Sequence, residues 1–136
     1  TVTLCGRPAR ALPPVEVRLP ATEGRDAVLS FARKWTGFKH GAAPGGRLVT
    51  GTFPPAVARR LVATARRAAR ALGLDGFVRF DLRVRPDGIP VLLEANPRPS
   101  LERGAEASVA AAAAGVDYDA FLAGLLREAR RVRRPS

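Results

Sequence analysis

The chain has 136 residues, of which 46% are hydrophobic, so it is long enough for one domain with a real core. Its single cysteine, Cys5, excludes an internal disulfide, and we expect a small core residue in a reducing, cytoplasmic setting. The longest apolar run, residues 107 to 116, is too short to span a bilayer, so a membrane is not expected as a partner.

The first part of the chain predicts two short strands followed by a loop. Strands are expected near residues 1–5 and 14–18, whereas residues 21–49 carry glycine and proline signals and predict mixed loop structure. His40 lies in that loop and is the only histidine of the chain. No aspartate, cysteine or second histidine lies near it in the sequence, so we expect a loop residue rather than a catalytic one.

A helix is predicted from about Pro55 to Leu72, because apolar residues recur there every three or four positions. The rest of its surface carries arginines, namely Arg59, Arg60, Arg66, Arg67 and Arg70. With a net charge of +11, this face could bind phosphate groups, or it could simply be solvated. No aromatic residues alternate with the arginines to stack on bases, so specific nucleic-acid binding is not expected.

A strand is predicted over residues 77–84, because polar and apolar residues alternate there. The alternation puts Arg79 and Asp81 on one face and a row of apolar side chains on the other. The turn signal Arg85-Pro86-Asp87-Gly88 then predicts that the chain folds back as a hairpin.

The returning strand is predicted over residues 89–96, and its two-residue period puts Glu94 and Asn96 on one face. In the hairpin the polar ends of both strands converge. Two carboxylates, a carboxamide and an arginine suit Mg²⁺ carrying the phosphates of a nucleotide better than they suit zinc. The other interpretation is an edge hairpin with a solvated, salt-bridged outer face. Against it, the apolar run Leu92-Leu93 predicts a strand covered on both faces, where a carboxylate needs a partner.

Two helices are predicted after the hairpin. The first covers residues 102–114 and ends at Gly115, and the second is capped by Asp117, with Tyr118 facing inward. The predicted fold class is α+β, one domain with an antiparallel sheet and helices packed on one of its faces.

Several segments resemble the carboxy-terminal part of the ATP-grasp ligases, most closely the D-alanine-D-alanine ligase branch. The segments that carry the resemblance are Gly73 to Asp81, Asp87-Gly88, Val91 to Pro97 and, upstream, Lys34-Trp35, which is similar to the family's Lys-Tyr element. The order of these segments is that of the family, and the resemblance covers roughly the whole chain. It implies the C-terminal lobe of an ATP-grasp fold.

The resemblance also implies site residues and cofactors, namely ATP and Mg²⁺. Asp81, Glu94 and Asn96 would hold the magnesium ions, Arg79 would face the transferred phosphoryl group, and Lys34 would lie near the nucleotide. The implied activity is that of an ATP-dependent carboxylate-amine ligase acting through an acyl phosphate. Positioning and charge neutralisation are the main work that such a reaction asks of a protein.

The partners that follow from this resemblance are a small-molecule carboxylate and an amine, and a homodimer is compatible with it. No phosphate-cradling glycine loop is found, so we expect that an upstream part of the same ligase is needed and that this chain alone is inactive. A different class of function also stays open, a basic nucleic-acid or phosphate-binding module without catalysis.

Three departures from the family concern substrate choice. Trp35 stands where the family usually has tyrosine, so a hydroxyl is missing from the neighbouring loop. After Asn96, Ser100 stands where the dipeptide ligases commonly have glycine. The serine that receives the substrate carboxylate in the family has no clear equivalent, because residues 101–107 intervene before Ser108. Arg98 could bind that carboxylate instead, so Arg98 and Ser100 are candidates for binding the second substrate. A D-alanine-D-alanine ligase and another amino-acid-conjugating ligase both remain open.

Overall fold

The computed structural model describes residues 1–18 and 47–132. In chain order the elements are β1 (Val2–Cys5), β2 (Arg10–Ala11), β3 (Val15–Arg18), β4 (Arg47–Thr50), α1 (Pro55–Ala71), β5 (Val78–Val84), β6 (Pro90–Asn96), α2 (Glu106–Ala113) and α3 (Tyr118–Val132). The predictions made for Lys34, Trp35 and His40 concern residues outside the described part.

Within the described residues the main sheet has four strands in the order β2-β1-β5-β6, with each neighbouring pair antiparallel. It belongs to a compact unit formed by Thr1–Val15 and Thr50–Ser136. A second unit, Glu16–Val49, contains most of a two-stranded sheet of β3 and β4. The strands predicted near residues 1–5, 14–18, 77–84 and 89–96 are all confirmed.

Helix α1 packs on one face of the main sheet. Pro55 stands at its first turn, where a missing backbone N–H costs nothing, and Gly73 follows its end with a φ of 63° that a glycine adopts readily. The core on this side of the sheet consists of Val2, Leu4, Leu61, Ala65, Ala69, Val78 and Phe80. The predicted helix is therefore confirmed to within one residue.

Helices α2 and α3 pack on the opposite face, so the prediction that all helices lie on one face was wrong. Ala107, Ala111 and Phe121 form a second core, which Cys5 and Phe77 join from the sheet. Cys5 ends β1 next to Leu4, and Phe77 directly precedes Val78 of β5, so both pack on the side opposite to these α1-facing neighbours. The sheet carries apolar side chains on both faces and needs a cover on each.

Helix α2 begins at Glu106 rather than at residue 102, because the preceding residues form a loop of their own. Gly104 has a φ of 89°, and its N–H donates to Oγ of Ser108 at 2.9 Å. The predicted stop at Gly115 is confirmed by its φ of 78° and by a hydrogen bond from Val116 N–H to the carbonyl of Ala111 at 3.0 Å.

The predicted cap of the last helix is also confirmed, since Oδ1 of Asp117 accepts a hydrogen bond from Ala120 N–H at 2.8 Å. Tyr118 is only half-buried, and the Arg103 guanidinium lies 4.1 Å from the centre of its ring. In residues 1–18 and 47–132, no single helix is long and apolar enough to cross a membrane, although α2 and α3 reach the required length and composition as a pair bent by 107°.

Candidate functional site

Arg79 is the central residue of the polar surface that β5 presents to α2. The residue is only 8% exposed, and its side chain is held by two carboxylates from different elements. Asp81 accepts from Nε through Oδ1 and from Nη2 through Oδ2, each at 2.9 Å, and Oε2 of Glu106 accepts from Nη1 at 3.0 Å. This geometry is the bidentate pairing that orients a guanidinium most firmly, with a third bond added from helix α2.

The electrostatic surroundings keep Arg79 charged. Burial is the largest single effect and would lower the pKa of its guanidinium, but the hydrogen bond and charge of Asp81, together with the charges of Glu106 and Glu94, outweigh it. The pKa of Arg79 is therefore raised above its ordinary value. Three carboxylates surround one guanidinium, which leaves an excess of negative charge that suits a cation.

The hairpin register brings the predicted polar residues onto one face. Arg79 is directly opposite Asn96, and Asp81 is directly opposite Glu94. Residues that oppose each other in an antiparallel pair point to the same side of the sheet, with their Cβ atoms about 5 Å apart. The predicted convergence of these four residues is confirmed. Together with Glu106 they are called the Arg79 cluster below.

The turn that sets this register is the predicted one. Gly88 N–H donates to the carbonyl of Arg85 at 2.8 Å, and Gly88 has a φ of 76°, which a residue with a side chain adopts only with strain. Oδ1 of Asp87 accepts a hydrogen bond from Ile89 N–H at 3.1 Å, and this bond within the turn stabilises it.

The prediction that β6 is covered on both faces was wrong. Within the described ranges the strand is the edge of the main sheet, and Leu93 is 66% exposed, with Val91, Leu92 and Glu94 also exposed. The register shifts beside Asp81, so that Leu82 opposes Leu92 and Leu93 is the extra residue of a bulge. Bulges are frequent in edge strands and next to functional sites.

The oxygen atoms of the Arg79 cluster differ in how far they are already engaged. Both oxygens of Asp81 bind Arg79, yet an ionised carboxylate offers about four lone pairs, so roughly two stay open. Glu94 has no ion pair within the described ranges. Oδ1 of Asn96 accepts from Arg98 N–H at 2.9 Å, which fixes the carboxamide at the start of the next loop.

This donor set fits magnesium better than a transition metal. Among residues 1–18 and 47–132, no three His, Cys, Asp or Glu side chains are placed to hold a metal ion by themselves. Two carboxylates and a carboxamide on adjacent strands instead match the few protein oxygens that Mg²⁺ uses when phosphates complete its shell.

The loop after β6 contains the candidates for the second substrate. Arg98 and Ser100 are exposed, and Oγ of Ser100 accepts from Glu102 N–H at 3.2 Å. Neither side chain contacts the Arg79 cluster through a hydrogen bond within the part of the chain that the structure describes. The loop is tied to α3, because the Tyr118 hydroxyl donates to the carbonyl of Leu101 at 2.8 Å.

A family profile described as "D-ala D-ala ligase C-terminus" matches residues 19–127, which is most of the chain. The chain belongs to this family. The resemblance found in the sequence is thereby confirmed.

Individual relatives carry the same family name. A D-alanine--D-alanine ligase of Gloeobacter violaceus is 36% identical over 106 residues, which cover 76% of this chain and 34% of the relative. One from Herminiimonas arsenicoxydans is 33% identical over 132 residues, covering 96% and 36% respectively. This chain therefore spans about a third of the length of these D-alanine--D-alanine ligases.

Solved structures confirm the fold class. A crystal structure of D-alanine--D-alanine ligase from Bacillus anthracis complexed with ATP is similar with a TM-score of 0.72 at 21% identity, covering 97% of this chain and 39% of that chain. A second structure of the ligase from the same organism gives a TM-score of 0.73. The α+β arrangement is the C-terminal lobe of the ATP-grasp fold.

Glu106 is the member of the Arg79 cluster that the sequence did not predict. It is 27 residues from Arg79 and opens a helix, where an acidic residue is ordinary because the helix dipole favours it. The sequence did place Glu106 in a predicted helix, and such a helix could pack over the polar face of β5. This contact was not predicted, because all helices were expected on the other, apolar face of the sheet.

The arginines of α1 form a second charged surface, on the other side of the sheet. Arg59, Arg66, Arg67 and Arg70 line an open cavity of about 630 Å³ together with Pro14 and Val62. The five arginines of α1 are exposed, and within the described ranges none of them has an ion pair. This surface is called the arginine face of α1 below.

Proposed function

We propose that this chain is the C-terminal part of the catalytic domain of an ATP-dependent carboxylate-amine ligase of the D-alanine-D-alanine ligase type. An upstream part of the same ligase would supply the rest of the nucleotide site. The observation that supports the proposal most strongly is the hairpin register, which pairs Arg79 with Asn96 and Asp81 with Glu94 on one face. Membership of the ligase family gives this arrangement its chemical meaning.

Asp81, Glu94 and Asn96 would hold Mg²⁺ in the working enzyme, and Lys34 would lie near the nucleotide. When bound, Mg²⁺ supplies charge neutralisation on the phosphates of ATP. The open carboxylate of Glu94 and the free lone pairs of Asp81 support this assignment. ATP as the nucleotide is supported by the relative from Bacillus anthracis, which was solved in complex with ATP.

The reaction we propose has two steps. A carboxylate oxygen of the first substrate bonds to the γ-phosphorus of ATP, and the bond from that phosphorus to the bridging oxygen breaks, so ADP leaves with the electron pair. The amine of the second substrate then attacks the carbonyl carbon of the acyl phosphate, phosphate leaves, and the nitrogen loses a proton. Arg79 would stabilise the charge on the phosphoryl oxygens during the first step, since its charge is preorganised.

Substrates are proposed by class. Both would be small molecules of amino-acid size, the first presenting a carboxylate and the second an amine. Arg98 and Ser100 are exposed in the loop that follows Asn96, and we propose that they contact the second substrate. Because Ser100 replaces the usual glycine, D-alanine and other amino acids are both candidates for that substrate.

The test is ADP release by the longest natural polypeptide that contains this sequence, with Mg²⁺ and a panel of amino acids including D-alanine. The Asp81→Asn variant should lose at least about a hundredfold in turnover, since charge on the phosphoryl group is no longer balanced. Asp87→Asn is the matched control, because it changes the same residue type at the far end of the same hairpin, and it should turn over normally.

Circular dichroism melting should show both variants folded. If no amino acid stimulates ADP release, or if Asp81→Asn is as active as the wild type, the ligase assignment fails. In that case a binding function for the arginine face of α1 becomes the better explanation of the charge.

A further inference from the structure

We propose that Glu106 is a positioning residue that keeps Arg79 oriented toward the transferred phosphoryl group. This inference rests on the proposed ligase function. Its starting point is the ion pair between Nη1 of Arg79 and Oε2 of Glu106 at 3.0 Å, which joins the first turn of α2 to strand β5.

Asp81 alone cannot serve as the anchor of Arg79 throughout a reaction. Both of its oxygens bind the guanidinium, yet Asp81 is also a proposed magnesium ligand. Any turn of this carboxylate toward a cation weakens its bonds to Arg79. Asp81 and Arg79 are also neighbours on the same strand, so that their pair does not fix either side chain relative to the helices.

Glu106 supplies the missing anchor, because within the described ranges its only ion pair is with Arg79. The three bonds to Asp81 and Glu106 use three of the five N–H groups of the guanidinium, and two are left for an incoming phosphoryl oxygen. Arg79 can then be held and still bind a ligand.

The position of Glu106 is itself fixed by a buried hydroxyl. Ser108 is the third residue of α2, and its Oγ accepts from Gly104 N–H at 2.9 Å while lying 3.0 Å from the carbonyl of Glu102 and 2.9 Å from that of Ala105. These contacts close the loop that leads into Glu106. The Ser108 hydroxyl thus stabilises the loop of residues 102–105, and the conformation of this loop determines that α2 begins at Glu106.

The competing explanation is that Glu106 only stabilises α2, since an acidic residue in the first turn of a helix is favourable by itself. That role would lower the melting temperature of a variant and leave the turnover of folded molecules unchanged. Positioning predicts the reverse pattern, a loss in kcat with little change in KM for ATP.

The experiment compares Glu106→Ala, Glu106→Gln and Glu102→Ala in the longest natural polypeptide that contains this sequence. Glu106→Ala should lower kcat by about ten- to a hundredfold while KM for ATP stays within about threefold, because a reacting group is misplaced. Glu106→Gln keeps an oxygen that can accept from Nη1, so its kcat should stay within about fivefold of the wild type. Glu102→Ala is the matched control from the same loop, and it should behave as the wild type.

A second readout does not depend on turnover. Hydrogen exchange of the Arg79 Nε–H can be followed by NMR, with the signal assigned by its loss in Arg79→Lys. It should be at least about tenfold faster in Glu106→Ala than in Glu102→Ala, because local opening frees the guanidinium.

The outcomes separate this inference from the ligase assignment. If the enzyme is active but Glu106→Ala retains both kcat and slow exchange, Glu106 does not position Arg79. If no substrate gives turnover at all, the ligase assignment fails, and the exchange rate alone decides whether Glu106 anchors Arg79. Equal exchange in Glu106→Ala and Glu102→Ala overturns the inference in either case.

Discussion

The arginine face of α1 and the Arg79 cluster both carry guanidinium groups, and they differ in exposure and in pairing. The arginine face of α1 has five exposed guanidinium groups and no carboxylate on the helix. The Arg79 cluster has one buried guanidinium, and Asp81, Glu94 and Glu106 all contribute to its electrostatic environment. The number of charges therefore does not identify a functional site, whereas the burial and ion pairing of a single charge do.

The two surfaces also respond differently to a ligand. An exposed arginine is solvated and screened, and it contributes to long-range attraction more than to any defined contact. Arg79 has already lost most of its water and is fixed by three hydrogen bonds, so its interaction with an incoming anion needs little reorganisation. The two surfaces should therefore differ most in what their arginines contribute to stability.

The largest effect is expected for Arg79→Ala. Removal of this guanidinium leaves Asp81 and Glu106 without their partner in partly buried positions, which should lower the free energy of unfolding by about 2–4 kcal/mol. Arg66→Ala on α1 is the matched control, and it should change stability by no more than about 0.5 kcal/mol. Urea unfolding of both variants measures the difference. Similar values for the two would show that burial and pairing do not distinguish the surfaces.

How much of this contrast the sequence could predict depends on the range of the interactions. The face shared by Arg79, Asp81, Glu94 and Asn96 follows from the two-residue period of two strands and a four-residue turn, all of which are local. Helix ends at Gly73 and Gly115 were equally accessible, because glycine at positive φ is a local signal.

Contacts between distant elements were not accessible in this way. The pair of Arg79 and Glu106 depends on which face of the sheet α2 covers, and helices on both faces were not predicted. The start of α2 at Glu106 depends on a single hydroxyl, that of Ser108, which turns back into the preceding loop. The exposure of Leu93 depends on a bulge, and no residue type in β6 predicts a bulge at that position.

The next effect concerns Cys5, which lies on the same side of the sheet as Arg79 and tests whether α2 and α3 enclose that side. Burial raises the pKa of its thiol from 9.0 to about 11, and the charge of Arg10 opposes that change only in part. Because the neutral thiol is favoured on folding, its contribution to stability is full below pH 9 and is lost as pH rises through 11.

The wild type should therefore lose about 2 kcal/mol more than Cys5→Ala between pH 8 and pH 11. The variant has no thiol to titrate, so unfolding of both proteins across this range isolates the effect. Parallel curves for the two proteins would mean that the thiol is hydrated and that this side of the sheet is open.

The smallest expected effect concerns two buried hydroxyls on the α2 side of the sheet. Thr3 is opposite Arg79, is 1% exposed, and its Oγ1 has no hydrogen-bond partner within the described ranges. An unpaired buried hydroxyl is costly, and valine has the same shape, so Thr3→Val should raise the free energy of unfolding by about 1 kcal/mol. Ser108→Ala is the contrasting variant, since its hydroxyl has three close partners, and it should lower stability by about 1–2 kcal/mol.

Opposite signs for these two substitutions would show that the hydroxyls near Arg79 differ in their surroundings. The Ser108 hydroxyl of α2 would be hydrogen-bonded, whereas the Thr3 hydroxyl of β1 would be buried without water or a partner. A loss of stability in Thr3→Val would instead mean that the Thr3 hydroxyl finds a partner in solution. The row from Thr3 through Arg79 to Asn96 would then be polar across three strands, and the Arg79 cluster would extend further under α2 than the contacts of Arg79 indicate.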